Sequence, residues 1–267
     1  ISIPTASVGS VRAYLIVKDS DGNLMTLYDE VIVVAPTYTY ASDLFFSYYV
    51  EGSSYNKALA IFNGTGSAVD LSSYSVSLYS NGSSSASSTL SMSGTLNHGD
   101  VYVIAYSSAN ASILAMADIT SAVANFNGDD ALELLKTGVV VDSIGQKGYD
   151  PGTAWSNNGV STLDSSLIRN SSVTIGRADS TAVYDPSLEW TGYAIDYITG
   201  LDSHTMDNMG PDGGPSSPAV SSIEAHLSDS TYTVGDAINL SGAYLRVFYI
   251  DGSADTISIT QDMVSGF

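Results

Sequence analysis

The sequence predicts an all-β protein, and three observations support this fold class. Short runs rich in aromatic and β-branched residues recur along the chain with Gly, Ser, Asn and Asp between them, which is the pattern of strands joined by turns. The pair Asp21-Gly22 stands between two such runs and is a strong hairpin signal. Gly, Ser, Thr, Asn and Tyr dominate the composition, as they do in turn-rich β proteins.

The chain has 267 residues and a formal net charge of −20, which suits one large domain or two to three small ones. Binding to a nucleic-acid backbone depends on Lys and Arg, so this charge argues against nucleic acid as a partner. It fits a soluble, self-repelling surface. We expect an extracellular or cell-surface location, and the chain opens with Ile1, as a processed product or a fragment would.

The absence of cysteine excludes disulfides and Cys-type metal sites. The longest apolar runs, such as 31–36, are far shorter than the ~20 residues of a membrane-spanning helix, so we expect no membrane span. Sequence motifs of serine hydrolases, zinc proteases and P-loop enzymes are also missing. We therefore expect a protein that is not an enzyme and has no cofactor, with calcium as the one ion to consider.

Hydrophobic patterning predicts individual elements. The run 44–46 breaks strict alternation, so we expect the strand 44–50 to be buried on both faces at one end. Residues 109–117 are the one stretch of helical character, with Asn110 or Ser112 as the capping residue. Strands are predicted over 11–17, 27–34, 44–50, 58–63, 74–79, 101–106, 132–135, 139–144 and 166–170.

Four ordered motifs carry a resemblance to a known family. They are EGSSYNKA (51–58), FNGDDALELL (126–135), IGQKGYDPGTAW (144–155) and LDSHT (201–205). Residues 41–206 resemble a lamin tail domain of the type found in bacterial secreted and surface proteins, which implies a small immunoglobulin-like β-sandwich. The chain departs from the family pattern at Tyr48 and Ala60, where that pattern has acidic residues.

The flanking segments resemble immunoglobulin-like domains that are incomplete. Residues 220–267 resemble the opening half of a group 3 bacterial immunoglobulin-like domain on the segments SIE (222–224), YTVGD (232–236) and YIDGS (249–253). Residues 1–36 resemble the closing half of such a domain, and 207–219 is a Pro/Gly linker. The predicted architecture is immunoglobulin-like β-sandwiches in series: 1–36, a lamin-tail-like sandwich over 37–206, the linker, and 220–267.

Two half-domains of matching character suggest that each needs the other. An incomplete sandwich exposes an apolar face and unpaired strand edges, and strand addition between chains is a known way to cover them. We therefore expect identical copies or repeats to join head-to-tail in a surface layer or filament. The alternative is a chain cut within domains that have different neighbours on each side. The residues expected at the contact are Val11, Tyr14, Ile16, Val31, Val33, Val247, Tyr249, Ile257 and Phe267.

Two acidic segments are candidate calcium sites. Asp19, Asp21 and Asn23 begin a D-x-D-G-N loop, and Glu30 stands at its twelfth position, where a calcium loop places a bidentate Glu. The predicted flanks are strands rather than the helices of an EF-hand, so a plain hairpin turn is the alternative.

Asp129 and Asp130 are the second candidate, with Glu51 or Asp150 as a further oxygen ligand. In the structural alternative, Asn127 and Asp129 accept backbone N–H groups, and Asp130 pairs with Lys57 or Lys136.

The remaining polar and aromatic residues have mainly structural interpretations. We expect the ammonium of Lys57 to bind carbonyl groups or an Asp, and His204 to make a hydrogen bond that closes the sandwich. Trp155 and Trp190 are expected in the core, although with the tyrosines they suggest a sugar-binding surface.

Three functions follow. The first is a structural or adhesive module, the second an accessory domain fragment of a secreted nuclease or phosphatase, and the third a calcium- or glycan-binding adhesin with cell-surface glycans as partners.

Overall fold

The computed structural model of the protein describes residues 10–18, 24–32, 38–211, 220–226, 239–249 and 254–259. The chain divides into two compact units. One unit is Tyr38–Pro215, and the other combines Ile1–Thr37 with Ser216–Phe267. The predicted all-β class is confirmed, because strands make up nearly all the regular structure of the described residues. In the same part of the chain, no helix is long and apolar enough to cross a membrane.

The elements follow one another in this order. The strands are β1 (Ser10–Lys18), β2 (Leu24–Ile32), β3 (Phe45–Glu51), β4 (Lys57–Phe62), β5 (Val69–Asp70), β6 (Tyr74–Tyr79), β7 (Ser88–Ser91), β8 (Thr95–Leu96), β9 (Val101–Ala105), β10 (Ile119–Thr120), β11 (Ala131–Lys136), β12 (Val139–Ile144), β13 (Ser156–Asn157), β14 (Val160–Ser161), β15 (Ser165–Arg169), β16 (Trp190–Tyr193), β17 (Val220–His226), β18 (Tyr244–Tyr249) and β19 (Ala254–Ser258). The helical elements of the described residues are α1 (Ala111–Leu114) and the 3-10 turns Leu71–Ser73, Ala122–Ala124 and Pro186–Leu188.

The unit Tyr38–Pro215 is a β-sandwich of two main sheets. A six-stranded sheet has the order β10-β9-β4-β3-β15-β16, and a four-stranded sheet has the order β12-β11-β6-β7. Apart from the parallel pair β9 and β10, neighbouring strands in both sheets are antiparallel. The two central strands of the six-stranded sheet are thus β4 and β3, and β15 pairs with β3 from more than 100 positions along the chain.

Strands β3 and β4 are buried along their whole length. Burial on both faces was predicted for one end of β3 only, and the structure extends it to the whole strand. A bulge between Phe46 and Tyr48 resets the alternation of side chains. Phe46 and Tyr49 therefore both enter the core between the sheets, while Tyr48 enters a second core on the outer face of the six-stranded sheet.

The second core is covered by α1 and by the segment around Leu201. Asn110 caps α1, since its side-chain oxygen accepts from the backbone N–H of Ile113 over 3.0 Å. The helix is one turn long and therefore shorter than the predicted 109–117. Ile113 is fully buried, so this turn closes the outer face of the sheet at that point.

The other unit contains two separate antiparallel sheets among its described residues. Strands β1 and β2 pair along nine positions, from Ser10 opposite Ile32 to Lys18 opposite Leu24, as their sequence predicts. Strand β18 lies between β17 and β19. The predicted turn 19–23 and the family segments 232–236 and 250–253 lie outside the described residues. The assignment of these segments to half-domains stays a prediction.

Candidate functional site

Two of the family-like motifs meet at one end of the sandwich. Glu51 and Lys57 are opposite each other where the β3–β4 hairpin begins its turn. Lys57 Nζ lies 2.8 Å from Glu51 Oε1, and both side chains are buried. The same ammonium donates to the Phe126 carbonyl over 2.5 Å and to Asn127 Oδ1 over 3.0 Å. We call Glu51, Lys57, Asn127 and the Phe126 carbonyl the Lys57 centre.

The turn at Asn127 is held in place from several sides. The Asp130 carboxylate accepts from the backbone N–H of Asn127 over 2.8 Å and from that of Asn81 over 2.9 Å. Burial raises the pKa of Asp130, and these two hydrogen bonds act in the opposite direction. On the core side, the Tyr49 ring stacks on Phe126 with 4.6 Å between centroids. The turn is therefore a fixed part of the sandwich.

Thr162 ties the same turn to the second half of the chain. Its Oγ1 donates to the Gly128 carbonyl over 2.5 Å and accepts from the backbone N–H of Trp155 over 3.1 Å. The Tyr49 hydroxyl donates to the Thr162 carbonyl over 3.0 Å. Nearby, the second oxygen of Glu51 accepts from the backbone N–H of Asp164 over 2.6 Å.

Of the acidic residues proposed as calcium ligands, Asp129 and Asp130 lie within the described part of the chain. Asp130 binds backbone N–H groups rather than Lys57 or Lys136, since Lys57 pairs with Glu51 and Lys136 pairs with Asp43. Among the described residues, no three His, Cys, Asp or Glu side chains are grouped so as to hold a metal ion. Asp129 accordingly has no such set around it in that part of the chain. Asp19, Asp21 and Asn23 lie outside the described residues, and calcium binding there stays a prediction.

A second polar centre lies inside the sandwich around Arg169. Its Nη2 lies 3.1 Å from Asp142 Oδ1 and 3.2 Å from Glu189 Oε2. The guanidinium also lies over the Trp190 ring, 4.8 Å from its centroid. Asp142 accepts from the backbone N–H of Phe46 over 2.8 Å. Because Asp142 is in β12 and Arg169 is in β15, this centre joins the two sheets.

The third family-like motif supplies a further ion pair on the outside of the four-stranded sheet. Lys147 Nζ lies 3.1 Å from Glu133 Oε1 and 4.2 Å from the centroid of the Tyr79 ring. The Tyr79 hydroxyl donates to Glu133 Oε2 over 2.5 Å, and Ser180 Oγ donates to the other oxygen of Glu133 over 2.5 Å. Burial raises the pKa of Tyr79, and Glu133 adds to the effect.

The hydrogen bond predicted for His204 is made by His98 instead. His98 Nδ1 accepts from the backbone N–H of Gly66 over 2.9 Å, so Nε2 carries the proton and donates to the Gly210 carbonyl over 2.8 Å. His204 packs edge-on against Phe45 and Phe62. Its Nε2 is buried without a hydrogen-bond partner in the described structure, and the two phenyl rings beside it offer no acceptor. The prediction for His204 was therefore wrong.

The aromatic residues divide into core and surface groups. Trp155 and Trp190 are buried in the core between the sheets, as expected. At one end of the sandwich, Tyr55 contacts Tyr106 with 5.6 Å between ring centroids, and Tyr193 stacks on Tyr197 with 4.5 Å between centroids. Asp196 accepts from the Ser53 hydroxyl over 2.6 Å, which holds the Tyr55 turn beside the second pair. We call these four tyrosines the tyrosine surface.

The residues proposed for assembly fall on the strands of the other unit. Val11 lies opposite Val31 in the β1–β2 pair. Val247 is buried, with 3% of its surface exposed. Tyr14 and Ile16 also lie in β1, Tyr249 in β18 and Ile257 in β19. Val33 and Phe267 are outside the described residues.

Sequence reasoning located Lys57 but missed Glu51 and Asn127 as its partners. The β3–β4 hairpin offered a signal for Glu51. Residues just before and just after a turn of five residues face each other, and Glu51 and Lys57 stand in these two positions. The Arg169 centre offered no such signal, because Asp142 and Arg169 are 27 positions apart in strands of different sheets.

Comparison with known proteins agrees with part of the resemblance. The family model described as Lamin Tail Domain matches residues 37–148. Searches of curated proteins and of solved structures return no match to the chain. The match includes the motifs that begin at Glu51 and Phe126, whereas the LDSHT motif and both flanking segments lie outside it. Over residues 37–148, the central sandwich of this chain is thus similar to lamin tail domains, which are immunoglobulin-like.

Proposed function

We propose that this chain is a non-catalytic structural module of an extracellular assembly, and that copies of it join head-to-tail. The non-catalytic, structural role is supported by the buried charged side chains, which pair with one another. Lys57 pairs with Glu51 inside the sandwich, and Arg169 pairs with Asp142 between the two sheets. These groups serve to fix strands and turns to one another. Such a sandwich suits a rigid spacer, and lamin tail domains are typically non-catalytic.

The second part rests on the sheets of the other unit. The β1–β2 pair has two strands and the β17–β19 sheet has three among the described residues. A two-stranded sheet is marginally stable by itself in water, whereas three or more strands with a covered apolar face are stable. The two segments that contain these sheets belong to one compact unit, which supports the view that they complete each other.

Contact between the β1–β2 segment and the β17–β19 segment can give two kinds of assembly. If both segments come from one chain, the result is a closed monomer. If they come from neighbouring copies, the contact is heterologous and generates an open filament. We favour the open form, because the chain carries one segment of each kind, on either side of the central sandwich in the sequence. The net charge of −20 suits an extracellular polymer, in which salt screens the repulsion between copies.

Sedimentation of the full chain over a range of concentrations tests this proposal. We expect the average mass to rise above the monomer mass of 27.8 kDa as concentration and salt increase. Val247→Asp places a charge on a buried side chain of β18 and should abolish the rise. Thr256→Asp, on an exposed position of neighbouring β19, is the matched control and should assemble as the original chain does. A monomer at every concentration contradicts head-to-tail assembly and favours the closed form or an accessory module of a larger enzyme.

A second candidate function, glycan binding, is favoured by the tyrosine surface. Tyr55 is 53% exposed and Tyr193 is 38% exposed, and aromatic rings at a surface suit stacking against the apolar face of a sugar. Titration with a panel of mono- and disaccharides, followed by NMR, tests it. Tyr55→Ala and Tyr193→Ala should each weaken binding, while Tyr149→Ala, equally exposed at 53% but in another loop, should not. No chemical-shift change with any sugar would contradict this function.

A further inference from the structure

The Lys57 centre places an amine, a carboxylate and a carboxamide in mutual contact. Lys57 Nζ lies 2.8 Å from Glu51 Oε1 and 3.0 Å from Asn127 Oδ1. The carboxamide carbon of Asn127 is one bond, about 1.2 Å, beyond that oxygen. Lys57 and Glu51 are each 5% exposed. The ion pair of Lys57 and Glu51 is therefore shielded from water where the Lys57 amine meets the Asn127 carboxamide.

We propose that Lys57 and Asn127 form a covalent isopeptide bond, with Glu51 as the group that moves the proton. Contact of this kind makes the reaction effectively unimolecular, and such proximity is worth many orders of magnitude in rate. Lys amines are established nucleophiles toward carbonyl carbon. A carboxyl group within hydrogen-bond distance of the amine meets the geometric requirement for general acid–base catalysis.

The reaction balances without an added reagent. Glu51 takes a proton from the Lys57 ammonium, and the free amine attacks the side-chain carbonyl carbon of Asn127. A carbon–nitrogen bond forms, and the bond from that carbon to the amide nitrogen of Asn127 breaks. Glu51 passes this proton to the leaving nitrogen, which departs as ammonia. The attacking nitrogen gives up its second proton to Glu51, and the ammonia takes that proton as it leaves, so the product is ammonium. No electron transfer occurs, and the charge of the lost lysine ammonium is carried away by the product ammonium.

The surroundings suit both the reaction and the departure of ammonia. The second oxygen of Glu51 accepts from the backbone N–H of Asp164 over 2.6 Å, which fixes the direction of the carboxylate. Asp130 fixes the Asn127 turn through the Asn127 backbone N–H. Asn127 itself is exposed on its outer side, so the product can leave. The bond would join β4 of the six-stranded sheet to the turn before β11 of the four-stranded sheet, a cross-link that suits a load-bearing module.

Mass spectrometry of the full chain after denaturation tests this proposal directly. Loss of ammonia lowers the mass by about 17 Da, and after protease digestion the peptides that carry Lys57 and Asn127 should appear as one branched species. Lys57→Arg preserves a positive charge next to Glu51 but should abolish the mass loss. Glu51→Gln should slow or abolish it. Lys136→Arg, in the exposed pair with Asp43, is the matched control and should retain it.

The outcome is decisive because a purely structural ion pair leaves the mass unchanged. Asn127→Asp offers a second measurement, since the same bond then forms with loss of water, about 18 Da. The folded original chain at its unmodified sequence mass overturns the proposal. A gain of about 1 Da at Asn127, which marks hydrolysis of the amide, also overturns it. This inference does not depend on head-to-tail assembly, because the bond forms within one sandwich.

Discussion

Arg169 Nη2 lies 3.1 Å from Asp142 Oδ1, and both side chains are completely shielded from solvent. The two residues belong to different sheets, so their contact fixes the position of one sheet against the other. Glu189 and the Trp190 ring also contact the guanidinium. Asp142 is in turn held by backbone N–H groups of Phe46 and Arg177. The polar centre is thus surrounded by groups that leave it little room to relax.

We expect Asp142→Ala to lower the free energy of unfolding by about 3–5 kcal/mol, because it leaves the Arg169 charge buried with less compensation. Lys136→Ala, which breaks the more exposed pair with Asp43, should cost no more than about 1 kcal/mol. Urea unfolding monitored by tryptophan fluorescence measures both, since Trp190 contacts Arg169. Equal small effects for the two variants would contradict a structural role for the buried pair.

The pH dependence of stability should include a contribution from His204. Burial, reinforced by the nearby Arg169 charge, lowers the pKa of His204 from 6.5 to about 4. The unfolded chain therefore binds more protons between these two values, and the free energy of unfolding rises with pH across that interval. The stability associated with neutral His204 is fully present above pH 6.5. As pH falls toward 4, the free energy of unfolding decreases by about 3 kcal/mol in total.

His204→Phe separates this contribution from the titration of carboxylates. Phe fits among the rings of Phe45 and Phe62 and carries no proton. The stability of this variant should depend less steeply on pH between 4 and 6.5 than that of the original chain, with thermal unfolding at several pH values as the measurement. Parallel pH profiles for the two proteins would show that His204 does not titrate as inferred.

Gly145 is expected to tolerate no side chain, for two reasons that can be separated. Its φ is +77°, and a Cβ there would lie 2.8 Å from ring atoms of Trp155. Gly138 has a similar φ of +80° but open space around the same position. Gly138→Ala should therefore cost only the left-handed backbone, about 1–2 kcal/mol. Gly145→Ala should cost a further ~1–3 kcal/mol, because the core must rearrange. Chemical denaturation measures the difference, and equal costs would mean that Trp155 moves freely.

Local patterning predicted nine of the nineteen strands of the described residues, all of them at least five residues long, because a strand and its turn depend on a few neighbouring residues. The helical turn near Asn110 was also visible in the sequence. What sequence could not supply was the pairing of distant strands. The contact of β15 with β3 depends on the whole core, so the buried pair of Arg169 and Asp142 could not be anticipated. Two-residue strands such as β5 and β8 are also too short to leave a pattern.

The candidate site was predicted in part for a similar reason. Lys57 stood out as one of only eight basic residues. It was expected to bind carbonyl groups or an Asp, and the Phe126 carbonyl confirms the first of these. The histidines were harder to assign. Nothing in the sequence distinguishes His98 from His204. Only the packed structure places a backbone N–H beside His98 and aromatic rings beside His204.

Thr162→Val should show how much the Thr162 hydroxyl contributes to the turn at Asn127. Valine has nearly the same shape, but it leaves the Trp155 N–H and the Gly128 carbonyl without their partner. Thr162 is 1% exposed, so water cannot replace the hydroxyl, and the expected loss is about 1–3 kcal/mol. Thr191→Val removes an exposed hydroxyl that donates to Asn170 and should cost less than about 0.5 kcal/mol. Urea unfolding compares the two. A loss at Thr162 no greater than at Thr191 would mean that the turn is held mainly by Asp130 and Lys57.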